Sequence, residues 1–185
     1  MDFILDASCA INLVNGDVFE IIVDLENASV LLGPIVLSEC ISVKSSISSA
    51  LCSGKIKLLD DNAVETTTYL SILRKYNLGP GEVECIAFGK VRSGKVCMDD
   101  KLARSAAIRE IGQERVSGSL GLLRHTVGLG RLNVDTAFDA YSRMIARGGF
   151  LPNLSENQFA AYLLTDLSLD NNAREIRAQG SSIEY

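Results

Sequence analysis

The sequence has one histidine, three prolines, no CxxC pair among its five cysteines, and no apolar run near the ~18 residues of a membrane span. Each shortage removes a class of protein. Three prolines, fifteen glycines and 22% charged residues fit neither a collagen-like, a coiled-coil nor a disordered chain. Cys9, Cys40, Cys52, Cys85 and Cys97 form an odd set in a chain long enough to fold without covalent staples, so reduced thiols are expected. With His125 as the sole imidazole, a Cys/His zinc site lacks its closely spaced soft or imidazole ligands, and any metal must be held by oxygen. Asp2 and Asp6 stand where a secretory leader would place basic and then apolar residues. The expected setting is cytoplasmic, with no membrane partner.

What is present is an ordinary apolar supply, 47% of 185 residues, enough for one packed unit. Charge, by contrast, is segmental. Residues 1–89 hold five Lys/Arg against twelve Asp/Glu, residues 90–147 eleven against six, and residues 148–185 two against five, giving balances of −7, +5 and −3. An acidic stretch beside a basic one suits a cation plus a polyanion, although solvated helix faces account for most such arginines.

Phe3-Ile4-Leu5 reads as a short buried strand that turns into a helix at Asp6, and Val30 to Leu32 as a second strand stopped by Gly33-Pro34. Ile35, Leu37, Cys40, Ile41, Val43, Ile47 and Leu51 predict one helix with Glu39 in its second turn and Gly54 as its stop. Lys55 to Leu59 alternates as a half-exposed strand. Asp60-Asp61-Asn62 supplies caps for a helix through Tyr69 and Leu73. Pro80 suits the first turn of a helix running to about Arg92. Lys95 to Met98 and Arg115 to Ser117 predict strands flanking a helix from Lys101 to Ile111. Helices are expected over 118–130, 134–146 and 154–164, before a polar tail that loosens after about Asn171. Strands alternating with helices imply a mostly parallel sheet covered on both sides, an α/β sandwich.

The acids fall at telling places. Asp6 and the Asp99-Asp100 doublet close predicted strands, and the carboxyl edge of an open parallel sheet is where ligands bind. Glu39 and Glu82 lie in opening turns of helices. Carboxylates converging on one rim would repel each other unless a divalent cation neutralised them. Each acid also has a plainer role: Asp6, Asp99 or Asp100 as helix caps, Glu82 in a capping interaction, Glu39 as an exposed residue. His125 reads as the wet side of a helix, and Ser8 as a helix-capping hydroxyl or a residue that orients a water. No phosphate-binding glycine loop occurs, and a phosphatase of the DxD kind is disfavoured because Ser8 stands two residues after Asp6.

Four stretches in this order resemble the PIN domain, a family of metal-dependent ribonucleases that includes toxins of toxin-antitoxin pairs. They are Ile4-Leu5-Asp6-Ala7-Ser8, Leu37-Ser38-Glu39-Cys40, Gly81-Glu82-Val83-Glu84-Cys85-Ile86-Ala87 and Val96-Cys97-Met98-Asp99-Asp100-Lys101-Leu102-Ala103-Arg104. The resemblance spans roughly residues 2 to 130. It implies a three-layer α/β/α sandwich with a central mostly parallel sheet over 1–130 and a C-terminal helical extension, 131–185, packed on the same domain. It implies cleavage of RNA by metal-activated water, with Asp6, Glu39, Glu82 and Asp100 as catalytic residues that bind Mg²⁺ or Mn²⁺. At the fourth position Asp99 is the alternative metal ligand to Asp100, and the resemblance further implies that Lys101 and Arg104 contact the nucleic acid.

Two departures stand out: Glu82 or Glu84 replaces the usual third aspartate, and Met98 replaces the usual Thr or Ser. Two residues apart on a helix, Glu82 and Glu84 point ~200° apart, so only one can face the site. Glu82 matches the family position. The implied partners are RNA, an antitoxin protein and a second copy of the chain. The other reading left open is a catalytically degenerate module of the same fold that binds nucleic acid or protein.

Overall fold

The computed structural model describes residues 1–165; the expected polar tail lies outside them. Phe3, Ile4 and Leu5, all buried, make up most of β1 (Asp2–Leu5), the middle strand of a five-stranded sheet ordered β3-β2-β1-β4-β5. A strand apolar at consecutive positions needs cover on both faces, as crossover helices provide. Every strand pair is parallel. Leu5 registers with Leu32 of β2 (Ser29–Leu32) and with Cys97 of β4 (Lys95–Cys97). Leu32 pairs with Leu58 of β3 (Ile56–Leu58), and Cys97 with Ser117 of β5 (Val116–Ser117). Strand order therefore reverses at β1: the chain runs outward through β2 and β3, then returns to β4 on the other side. Such a switch point opens a crevice at the carboxyl ends of the two central strands, and Asp6 and Asp99 stand at that edge.

The helices are α1 (Ala7–Asn15), α2 (Phe19–Val23), α3 (Pro34–Glu39), α4 (Lys44–Cys52), α5 (Thr66–Lys75), α6 (Pro80–Val91), α7 (Lys101–Ile111), α8 (Ser119–Gly128), α9 (Val134–Ala146) and α10 (Glu156–Thr165). One layer is built on α6, which lies against β1 and β4 and carries α3, α5 and α7. The α6 run from Val83 to Gly89 is wholly buried. The opposite layer packs α1 on α8 and α9, with α10 on both of these. Phe138, Tyr141 and Phe159 join α9 and α10 through ring contacts of 4.9–5.9 Å, and Tyr141, Met144, Phe159 and Leu163 belong to the same core as Phe3 and Ile4. Among the described residues no helix is long and apolar enough to cross a membrane.

Three elements differ from expectation. The helix expected over 35–51 is broken: α3 ends at Glu39, Cys40 leaves the helical region at ψ 42°, and a 3₁₀ turn (Ile41–Val43) leads into α4. Ile41, counted as part of the apolar stripe, is 78% exposed, so the stripe belongs to two helices with different buried faces. Asp60 caps a 3₁₀ turn (Asp61–Ala63) by accepting from the Asn62 N–H, and α5 starts only at Thr66 after two extended residues. Helix α2 was not anticipated. It follows a left-handed turn at Asp17 and buries Phe19, Ile22 and Val23.

Candidate active site

Asp6 leaves β1 in an extended conformation and caps α1, its Oδ1 accepting the Cys9 N–H at 2.7 Å. The Ser8 hydroxyl donates to both carboxylate oxygens at 2.9 Å, and the Asp6 N–H is tied to the Cys97 carbonyl across the strand junction. The side chain lies deep, with 2% of the residue exposed. Burial is the largest force on its proton and pushes the pKa up to about 7, against the Cys9 and Ser8 hydrogen bonds and with help from the negative charges of Asp99 and Glu82.

Asp99 and Asp100 follow β4 and divide the work. The Asp99 carboxylate accepts the Ser119 N–H at 2.8 Å, the Asn12 side-chain amide at 2.8 Å and the Ser119 hydroxyl, while its own N–H reaches Ser8 Oγ at 3.4 Å. Ser8 thus bridges Asp6 and Asp99. Asp100 caps α7 through Oδ1, which accepts from Leu102 and Ala103, and its Oδ2 accepts no hydrogen bond from a described residue. Asn12 and Ser119 escaped the sequence reading. A polar residue inside the apolar stripe of α1, 4% exposed, was the available signal for Asn12.

Glu82 occupies the third position of α6, its Oε2 accepting the Gly79 N–H at 2.8 Å in a capping box. Burial raises its pKa, offset by that hydrogen bond and reinforced by the charges of Asp100 and Glu39. Glu39, at the end of α3, reaches the same helix start and accepts the Gly81 N–H at 3.1 Å. Only glycine permits this approach: a Cβ at 81 would lie 2.3 Å from Glu39 Oε2. Glu84 turns away. Its two oxygens accept the Ile35 and Val36 N–H groups at 3.0 and 2.9 Å, capping the start of α3 from a position 6% exposed. A Cβ at Gly33 would come within 2.1 Å of that carboxylate.

The acids named from the sequence are thus gathered along one rim, with Asp6 feeling Asp99 and Glu82, and Glu82 feeling Asp100 and Glu39. They do not close on one point: among the described residues no three His, Cys, Asp or Glu side chains stand together as a ready metal cage. As donors they fit a hard divalent cation, because Glu39 Oε2, Glu82 Oε1 and Asp100 Oδ2 take no hydrogen bond from the described residues. Beside Asp99 and Asp100 runs a groove that Lys101 and Arg104 line. Lys101 is exposed, and neither cation is ion-paired or hydrogen-bonded to a described residue. His125 is not the wet face expected: half-buried, it packs edge-on against Phe3 at 5.3 Å.

This fold, with acids on the carboxyl edge of a parallel sheet, is that of a nuclease-like α/β/α protein. A family model described as a PIN domain matches residues 2–161, so the chain belongs to the PIN-domain family, whose members are generally nucleases acting on nucleic acids. The match runs beyond the resemblance read from sequence and takes in α9 and part of α10. No curated protein and no solved structure matches the chain.

Proposed function

We propose that the protein is a Mg²⁺- or Mn²⁺-dependent endoribonuclease that hydrolyses RNA phosphodiester bonds at the acidic rim. The observation that carries this reading is Asp6, a carboxyl at the end of the central strand whose pKa is lifted to about 7 by burial and by neighbouring carboxylates. Asp6, Glu39, Glu82 and Asp100 would hold the cation, which when bound would supply charge for the phosphate oxygens and acidify a water for attack. Cys9 and Ser8 fix the Asp6 carboxylate, while Gly79 and Gly81 hold one oxygen each of Glu82 and Glu39 and leave the other free. Asp99, its oxygens already engaged by Asn12 and Ser119, positions Ser8 and the β4 end of the rim, and stands next in line as a ligand. Lys101 and Arg104 take the phosphates and give binding its salt dependence. The cleft would serve the toxin of a toxin-antitoxin pair, its partner blocking the rim with a basic side chain.

The test is cleavage of single-stranded RNA in Mn²⁺ by the parent and by Asp6→Asn. A loss of at least ~100-fold is expected, since removing one preorganised electrostatic group typically costs ~10²–10³; equal rates would remove Asp6 from the reaction. The second reading, a non-catalytic binding module, draws support from carboxylates that share a rim without closing on one point. RNA binding with no cleavage, and no rise of Tm in Mn²⁺, selects it.

A further inference from the structure

We propose that Phe150 is a stacking platform for a base of single-stranded RNA lying in the groove beside the acidic rim; this rests on the nuclease reading above. Phe150 is 99% exposed, the extreme among the large apolar side chains of the described residues. Its exposure does not come from a loose loop. The Gly149 N–H donates to the Met144 carbonyl at 2.8 Å, and Gly149 packs so closely on Asn12 that a Cβ there would lie 2.5 Å from Asn12 Oδ1. Beyond Phe150, the Tyr141 hydroxyl donates to the Pro152 carbonyl and accepts the Leu154 N–H at 2.7 Å. Both flanks are anchored, so the ring is held out in water and forgoes the stabilisation of burial.

Phe150 lines a groove of about 590 Å³ whose walls include Ile11, Asn12, Asp99, Asp100, Lys101 and Arg104. That volume lies inside the ~300–1,000 Å³ range of small-ligand sites. Lys90 pairs with Glu110, and Arg143 and Arg147 pair with Asp17, whereas Lys101 and Arg104, the two cations that line this groove, pair with no described residue. Lys101 and Arg104 are left to an outside anion, and Phe150 to an outside π face. An alternation of phosphates and flat bases offers both. A partner protein that used the ring as an apolar anchor would need acidic side chains of its own for the two cations, whereas a single strand of RNA carries an anion and a π face in every nucleotide. Asn12 links the loop to the rim, touching Gly149 on one side and hydrogen-bonding Asp99 on the other, so a base on Phe150 would position the adjoining phosphate beside the carboxylates.

The chain contains no tryptophan, so Phe150→Trp installs a single fluorescent reporter at the proposed contact. In an Asp6→Asn background, which prevents cleavage, a short single-stranded oligoribonucleotide is expected to quench that fluorescence saturably, and an abasic oligomer of equal charge is not. Phe150→Ala is expected to weaken RNA binding about tenfold or more. In the cleaving parent it should raise KM with kcat little changed, and Phe150→Trp should restore KM. If Phe150→Ala binds RNA as tightly as a parent that cleaves RNA in Mn²⁺, the stacking assignment is overturned and the nuclease reading stands. If the parent binds no RNA at all, both fall. Self-association abolished by Phe150→Ala with RNA affinity unchanged would assign the ring to an interface between copies and overturn the proposal.

Discussion

At the scale of single residues, two carboxylates on α6 separated by one position have opposite fates. Glu82 faces the rim, whereas Glu84 caps α3 from the interior. Glu84→Ala leaves two N–H groups of α3 without partners and is expected to lower stability by about 2–3 kcal/mol in a denaturant melt, since an unsatisfied buried donor costs ~1–3 kcal/mol. A change under ~0.5 kcal/mol would mean that water replaces the carboxylate. Asp6 works the other way. Its pKa rises from 3.8 unfolded to about 7 folded, so the folded chain binds that proton more tightly. The group's contribution to stability therefore declines as pH rises through this window, and is lowest above it. In the absence of divalent cation, Asp6→Asn is expected to be more stable than the parent at pH 8 by about 2 kcal/mol, with the gap closing towards pH 4. A parent no less stable at pH 8 than the variant would contradict the shift. The opposition of Glu82 and Glu84 followed from helix geometry alone. The partner of Glu84 did not, because Ile35 and Val36 lie 49 and 48 residues away and only the fold joins them.

At the scale of elements, Glu110 ties three helices together. Its carboxylate is bridged by Lys75 of α5 at 2.6 Å and Lys90 of α6 at 2.5 Å, and accepts the Tyr76 hydroxyl at 2.9 Å. The Lys75 hydrogen bond first, then that of Lys90, pull its pKa down to about 2. Here the folded state holds the proton less tightly, so the stabilisation is present above pH ~4.5 and is lost as pH falls through about 2. Glu110→Ala is expected to cost about 1 kcal/mol at pH 7, kept small by the exposure of Lys75, and almost nothing near pH 2. Equal costs at both pH values would rule out the ion pairs as its source. Elements signalled by local chemistry were legible: Pro80 opens α6, Gly112 follows α7, and α9 runs over the span its periodicity predicts. The break at Cys40 was not, since apolar spacing continued across it and the contact made at the end of α3, Glu39 with Gly81, is with a helix start 42 residues away.

At the scale of the whole molecule, strand order brings the ends of β1 and β4 side by side, and the acidic rim there adjoins a groove that Lys101 and Arg104 line together with Asp99 and Asp100. The position of the acids at strand ends could be read from sequence because strands and helices alternate. The short reach between Asp6 and Asp99 depends on which strands pair, which periodicity does not encode. RNA binding is expected to fall steeply with salt, and Lys101→Ala with Arg104→Ala to flatten the log–log slope by about 1 for each phosphate no longer neutralised. An unchanged slope would place the polyanion elsewhere.

The central claim is that the rim gathers a hard divalent cation, and the most direct measurement is an anomalous difference map from crystals of the full chain soaked in Mn²⁺. A peak within about 2.3 Å of Asp6 and of at least one of Glu39, Glu82 and Asp100 is the expected result, near the contact distances of small oxygen-bound divalent ions. A saturating soak that leaves these carboxylates without a peak would contradict it.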